Sequence, residues 1–210
     1  MARGAARGHS AAMETSFKYD AAAPSWDRKI EVLGYDAAYR GFLKTTVMPS
    51  GKVLDAGTGT GAFACAWLAA GGSPELTLLD ASHRMLVRAD AAVRRCGAAP
   101  VIVEAAAADH RPDRPYSVIL AAHVIEHFLD PEAAFRRFSD WLESRGLLVL
   151  VVSRPHWCNW LIWLRYRHRW FSAGEIVGLG RTAGLRHVAT HVFTEGPPSR
   201  TSLGYVFLAP

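Results

Sequence analysis

Short uninterrupted apolar runs, each followed by a stretch with helical spacing, dominate the middle of this sequence. Lys52–Asp55, Leu76–Leu79, Pro100–Glu104, Tyr116–Ala121 and Leu147–Val152 are each of strand length. Strands that are apolar along their whole length are buried on both faces, so the alternation predicts a parallel sheet with helices on either side. The intervening helices carry their own punctuation. Ala62–Ala70 is stopped by Gly71-Gly72, and Ser82 caps a helix that runs to Arg95 and closes at Gly97. Asp130-Pro131-Glu132 opens a helix predicted to end at Gly146, and Ser172–Ala183 is stopped by Gly184. Two final strands, Leu185–Phe193 and Leu203–Leu208, have no helix between them, only the turn-rich Thr194–Ser202. They are expected to pair as a hairpin and place one antiparallel strand in the sheet. The fold expected is α/β, a doubly wound, mostly parallel sheet of seven strands with the last antiparallel.

Upstream, Trp26, Ile30 and Leu33, then Tyr39, Phe42 and Leu43, recur at helical spacing with Gly34 as a break between two helices. The organisation expected is a flexible tail over 1–15 and a single domain over 16–210. Within that domain, 16–50 forms a helical cap and 153–171 an aromatic insert. At 210 residues and 50% hydrophobic, with a net charge of +5, the chain can bury a core without a disulfide or metal staple. Cys65, Cys96 and Cys158 are odd in number and form no CxxC pair, which argues against a disulfide framework or a zinc site and for a reducing, cytoplasmic compartment. Met1–Ala12 has no apolar core of a secretory signal, and no run reaches the roughly 18 to 20 apolar residues of a spanning helix.

The segment richest in chemistry is Val53–Ala70. A strand, the turn Gly57-Thr58-Gly59-Thr60-Gly61 and an apolar helix follow one another directly. Glycines in such a turn let the backbone approach a ligand and expose N–H groups at a helix N-terminus. Asp80 closes the next strand, where an acid can accept hydrogen bonds from a ribose diol. The bland alternative is a tight strand–helix turn with an acid that merely starts another. Gly57–Ala62 satisfies the dinucleotide pattern GxGxx(G/A), which brings a nicotinamide oxidoreductase into consideration. No Tyr here has a Lys four residues on, as a single-domain dehydrogenase would want.

Val53-Leu-Asp-Ala-Gly-Thr-Gly-Thr-Gly61, with the acid two residues before the first glycine, resembles motif I of the class I S-adenosylmethionine-dependent methyltransferases. The resemblance runs from about Tyr19 to Leu208. It includes Asp80-Ala81-Ser82 with Met85, and Ala122-His-Val-Ile-Glu-His127 followed by Asp130-Pro131, which is similar to the quinone-biosynthesis and related small-molecule enzymes. Tyr19-Asp-Ala-Ala-Ala-Pro-Ser-Trp-Asp27 is similar to their N-terminal cap. The resemblance implies S-adenosylmethionine as cofactor, with Asp55, Gly57, Thr58, Gly59 and Gly61 around its methionine end. Asp80, Ala81 and Met85 would then stand by the ribose, and Ala122 and His123 beside the cofactor after the fourth strand. The acid that usually meets the adenine is replaced at its expected place by Ala105 or Ala106, leaving Asp109 as the candidate. Ser117 stands where an acid is common at the start of the fourth strand.

His123-Val-Ile-Glu126-His127 also spells HxxEH, an inverted zinc-protease motif, but zinc would need both histidines on one face of a regular helix and a third ligand. The segment is too short for that, so no metal is expected. Within the methyltransferase reading, His123 and His127 are candidates for a general base, and equally for residues that only line the cleft. Methyl transfer needs no acid for its leaving group, and alignment alone supplies much of the rate.

Trp157, Trp160, Leu161 and Leu164 share one helical stripe of the insert, followed by Arg165, Arg167 and Arg169. The stripe suits a lid over a pocket, an interfacial helix meeting a membrane surface, or ordinary packing. In similar enzymes this region and the cap build the acceptor site, so Tyr19, Trp26, His156, Trp157 and Trp160 are the candidate substrate-binding residues. The expectation is a methyltransferase acting at oxygen or nitrogen of a small, hydrophobic or aromatic acceptor. A membrane-associated quinone or phospholipid methyltransferase, with 157–171 in peripheral contact, is the alternative. An NAD-dependent oxidoreductase and a non-catalytic nucleoside-binding protein stand behind both. No nucleic acid partner is expected.

Overall fold

The structure is a computed structural model and describes residues 32–155 and 169–210. Helix α1 (Tyr35–Leu43) precedes a run of alternating elements: β1 (Val53–Ala56), α2 (Ala62–Ala69), β2 (Leu76–Asp80), α3 (His83–Arg95) and β3 (Val101–Glu104). Next come β4 (Tyr116–Ala122), a single 3-10 turn at Ile125–His127, α4 (Pro131–Trp141) and β5 (Leu142–Ser153). After α5 (Ala173–Thr182), β6 (Arg186–His191) and the short α6 (Pro198–Thr201), the last described element is β7 (Ser202–Leu208). The seven strands lie in the order β3-β2-β1-β4-β5-β7-β6. All neighbouring pairs are parallel except those of β7, which runs antiparallel to both β5 and β6. The expected hairpin and its single antiparallel strand are therefore present, with α6 inside the turn-rich connection.

Side-chain alternation along each strand builds two cores. Leu54, Ile119, Ala121, Leu148, Leu150, Tyr205 and Phe207 face α4 and α5 through Phe135, Phe138 and Ile176. Val53, Val118, Leu120, Val149, Val151 and Val206 face α1, α2 and α3 through Phe42, Trp67 and Leu86. Both faces of the central strands are thus dry, which is why their sequences read as unbroken apolar runs rather than alternating ones. β1 and β4 are neighbours although β2 and β3 intervene in sequence, so the chain reverses direction across the sheet between them. Their C-terminal ends form the crevice where open α/β sheets bind ligands.

One expected boundary is corrected. The fourth helix ends at Trp141, not at Gly146, because Leu142 already pairs with Tyr116 at the start of β5. The register then jumps to Val118 opposite Leu147, so Glu143–Gly146 bulge out of the ladder, with Arg145 at φ 63°. The run Glu-Ser-Arg-Gly resembles a helix end, but buried Trp141 and Leu142 take the chain into the sheet first.

Candidate functional site

Asp55 is the third residue of β1 and is buried. The loop after it turns sharply, with Gly57, Gly59 and Gly61 at φ 64°, 55° and 86°, a region other residues rarely adopt. Thr58 Oγ1 donates to Asp55 Oδ2 at 2.6 Å, and Gly61 N–H to the Thr58 carbonyl at 2.9 Å. Gly57 lies beneath Val124, where a Cβ would stand 2.6 Å from Cγ2, so the glycine loop touches the segment after β4. Gly61 serves packing, since a Cβ there would meet the backbone of Ala89 on α3.

At the end of β2, Asp80 Oδ2 accepts the Gly59 N–H and Oδ1 accepts the Ser82 N–H, each at 2.9 Å. Those two bonds fix the carboxylate between the glycine loop and the start of α3. Ser82 in turn caps α3 by accepting the Met85 N–H. Met85 is buried and Ala81 exposed, on either side of that cap. The Ala105 N–H donates to the Asp80 carbonyl, and Asp109 sits exposed in the turn that follows β3.

Beyond β4, Ala122 ends the strand and His123 takes φ 57°. A non-glycine residue held there is uncommon and worth asking about. Its N–H donates to the Val151 carbonyl at 2.7 Å, and its Nδ1 lies 3.2 Å from Glu126 Oε1 and 3.0 Å from Ser153 Oγ. Glu126 Oε1 also accepts the Ser153 N–H at 2.7 Å. The Glu126 side chain is wholly buried. Burial opposes its ionisation, but the His123 hydrogen bond, the charge beside it and the Ser153 N–H outweigh that and bring its pKa down to about 2. His127, in the same turn, is held below the ordinary histidine value by burial.

Tyr35 of α1 meets the His123 ring edge-on, with centroids 5.3 Å apart, and its hydroxyl reaches Thr201 Oγ1 at 3.1 Å and Ser202 Oγ at 3.3 Å. Tyr39, one turn along, is buried. Burial, then Tyr35, Glu126 and Asp55, raises its phenol well above the usual value. The Asp55 and Glu126 carboxylates thus both act on the Tyr39 phenol.

The sequence groups Asp55, Gly57, Thr58, Gly59, Gly61, Asp80, Ala122 and His123 around one cofactor; the structure bonds Thr58 to Asp55 and Gly59 to Asp80, and lays Gly57 against Val124, next to Ala122 and His123. The sequence did not single out Tyr35, Tyr39 or Ser153, whose helical or strand spacing looks like core. The His123–Glu126 separation of three residues was the available signal for their pairing. Tyr19, Trp26, His156, Trp157 and Trp160 lie outside the described residues. Among the described residues no three His, Cys, Asp or Glu side chains come together as a metal site, and no helix is long and apolar enough to cross a membrane.

Burial pushes the Asp55 carboxyl up to about 7, despite the Thr58 hydrogen bond that lowers it. A positive charge placed beside it would be stabilised by the ionised form, as a sulfonium or ammonium group requires.

The chain matches the family described as "Methyltransferase domain" over residues 31–190. It belongs to that family. A methyltransferase domain on this seven-stranded fold is a class I enzyme, and class I enzymes take their methyl group from S-adenosylmethionine. No curated protein matches this methyltransferase. Solved structures share its fold. A Haloferax volcanii methyltransferase in complex with the Trm112 activator is 18% identical, with 91% of this chain and 97% of that one covered and a TM-score of 0.73. A Thermotoga maritima S-adenosylmethionine-dependent methyltransferase is 19% identical, covering 93% and 100%, with a TM-score of 0.70. The NodS N-methyltransferase of Bradyrhizobium japonicum, solved with S-adenosyl-L-homocysteine, is 19% identical, covering 83% and 84%, at 0.64.

Proposed function

We propose that this methyltransferase transfers the methyl group of S-adenosylmethionine to oxygen or nitrogen of a small, hydrophobic or aromatic acceptor. The observation that carries the reading is the meeting of buried Asp55, the glycine loop and Asp80 at the β1–β4 crevice. Asp55, Gly57, Thr58 and Gly59 would surround the methionine end, and the aimed Asp80 carboxylate would accept the ribose hydroxyls. Asp109, exposed in the turn after β3, is the candidate for the adenine amino group. S-adenosylmethionine supplies an electrophilic methyl on a sulfonium. The chain's own part is to align the acceptor with that carbon and keep water away. Tyr35, half-buried on α1 with its ring against His123, offers aromatic surface beside that residue, and the Trp157/Trp160 stripe in the sequence supports an apolar acceptor.

A thermal-shift titration tests the reading. S-adenosylmethionine and S-adenosylhomocysteine at about 100 times their dissociation constants stabilise by roughly 2.7 kcal/mol. In a domain of this size that raises Tm by roughly 5 to 10 °C. The expected result is that shift in the native chain and its loss in Asp80→Ala, with NAD and NADP inert. A shift with NAD alone overturns the assignment.

A further inference from the structure

His123 and Glu126 leave one polar atom each without a partner. His123 Nε2 and Glu126 Oε2 are buried, and neither has a hydrogen bond. A buried polar atom without a hydrogen bond is costly, so such atoms ask for an explanation. Here two of them fall in one hydrogen-bonded pair, at the left-handed residue that follows β4, in the segment that lies on Gly57 of the glycine loop.

The pair has a built-in direction. Glu126 is an acceptor only, and it already receives the Ser153 N–H, so the bond to His123 needs the imidazole proton on Nδ1. Ser153 Oγ, 3.0 Å from the same Nδ1, is held by the same short strand end. With Nδ1 protonated, a neutral imidazole carries its lone pair on Nε2, the atom left without a partner. Tyr35 packs edge-on against the ring and, through Thr201 and Ser202, fixes its plane. The arrangement is a proton acceptor oriented by a buried carboxylate.

Resting on the methyltransferase reading above, we propose that His123 is the catalytic base that takes the acceptor's proton, that Glu126 is its positioning residue, and that the group methylated is a neutral hydroxyl. As the acceptor oxygen bonds to the methyl carbon, the carbon–sulfur bond breaks with its electron pair passing to sulfur, and the hydroxyl proton passes to Nε2. The imidazolium so formed lies against the Glu126 carboxylate and later loses its proton to water. A hydroxyl needs this help because its oxygen becomes strongly acidic as the new bond forms. A carboxylate acceptor has no proton to give, and Glu126 would repel it. An amine can shed its proton after the bond is made.

Nitrogen-15 NMR of histidine-labelled full-length protein tests the proposal without turnover. The expected spectrum at pH 8 shows one imidazole with Nδ1 protonated and Nε2 bare, absent in His123→Asn and changed in Glu126→Gln. Asparagine is chosen because it tolerates the left-handed backbone at this position. Phenol, added below the concentration at which it unfolds the S-adenosylhomocysteine complex, should move the Nε2 resonance, and benzoate should not. A proton on Nε2, an imidazole doubly protonated at pH 8, or an Nε2 unmoved by phenol each overturns the proposal. Failure of S-adenosylhomocysteine to bind would instead overturn the function proposed above, and the tautomer of the free protein would still decide this one.

Discussion

The Asp80 carboxylate holds the Gly59 N–H at 2.9 Å, joining the end of β2 to the loop after β1 across the mouth of the cleft. This one bond fixes the acid relative to the glycine loop, and on the function proposed above the acid meets the ribose of the nucleoside. Asp80→Asn retains the shape but loses the charge and one acceptor. Charged hydrogen bonds contribute about 1.5 to 3 kcal/mol, so affinity for S-adenosylhomocysteine should fall by roughly 10- to 150-fold. Isothermal titration calorimetry reads this directly. An affinity within twofold of the native value would remove Asp80 from the ribose site.

Asp55 predicts a pH dependence with a definite sign. Burial pushes its carboxyl up to about 7, above the usual carboxylate value near 4, so between those values the folded chain holds a proton that the unfolded chain has lost. Stability from this group is therefore lost as pH rises from about 4 through 7, by up to a few kcal/mol at roughly 1.4 kcal/mol per unit. Other groups titrate in the same range, so the quantity to measure is native minus Asp55→Asn. Thermal melts between pH 5 and 8, about the span where Asp55 changes charge, should show the native protein losing ground to the variant as pH rises. Added S-adenosylmethionine should reverse that trend, because a cation favours ionised Asp55. A native-minus-variant difference independent of pH contradicts the burial argument.

The contact between Gly57 and Val124 invites a double-mutant cycle. In Gly57→Ala the new Cβ stands 2.6 Å from Val124 Cγ2, at a backbone φ of 64°. The backbone term is about 1 to 2 kcal/mol, and the clash adds to it. Gly57→Ala with Val124→Ala should recover the clash but not the backbone term, leaving a coupling of about 1 kcal/mol or more in denaturant melts. Additive effects would mean that Val124 moves aside at no cost.

Most of the scaffold is legible because its signals are local. β1, β2, β4 and the centre of β5 announce themselves as unbroken apolar runs, and Asp80 is conspicuous as an acid closing one of them. The glycine loop is legible for the same reason, since its residues are consecutive. The bulge at Glu143–Gly146 was not, because only the pairing of Leu142 with Tyr116 ends α4 early. Tyr35 illustrates the other limit. Its hydroxyl partner Thr201 is 166 residues away, and nothing in the spacing of α1 distinguishes a tyrosine over the cleft from one in the core. The His123–Glu126 pair lies between these cases. Its spacing was visible, but Ser153, which orients it, arrives from β5.

Gly180 supplies a test of packing in which helix propensity points the wrong way. It lies inside α5, where Gly→Ala ordinarily gains about 0.5 to 1 kcal/mol. Here the added Cβ would stand 2.3 Å from Cε1 of Phe207, a ring that is itself fully buried and wedged by Phe135 and His187. Overpacking of this kind costs about 1 to 3 kcal/mol, so Gly180→Ala should lower Tm by several degrees. The sign should reverse once the ring is removed. In a Phe207→Leu background, itself destabilised, Gly180→Ala should be neutral or stabilising, since only the helix term is left. Thermal melts of the four proteins complete the cycle. A loss of the same size in both backgrounds would show that α5, and not the Phe207 ring, resists the substitution.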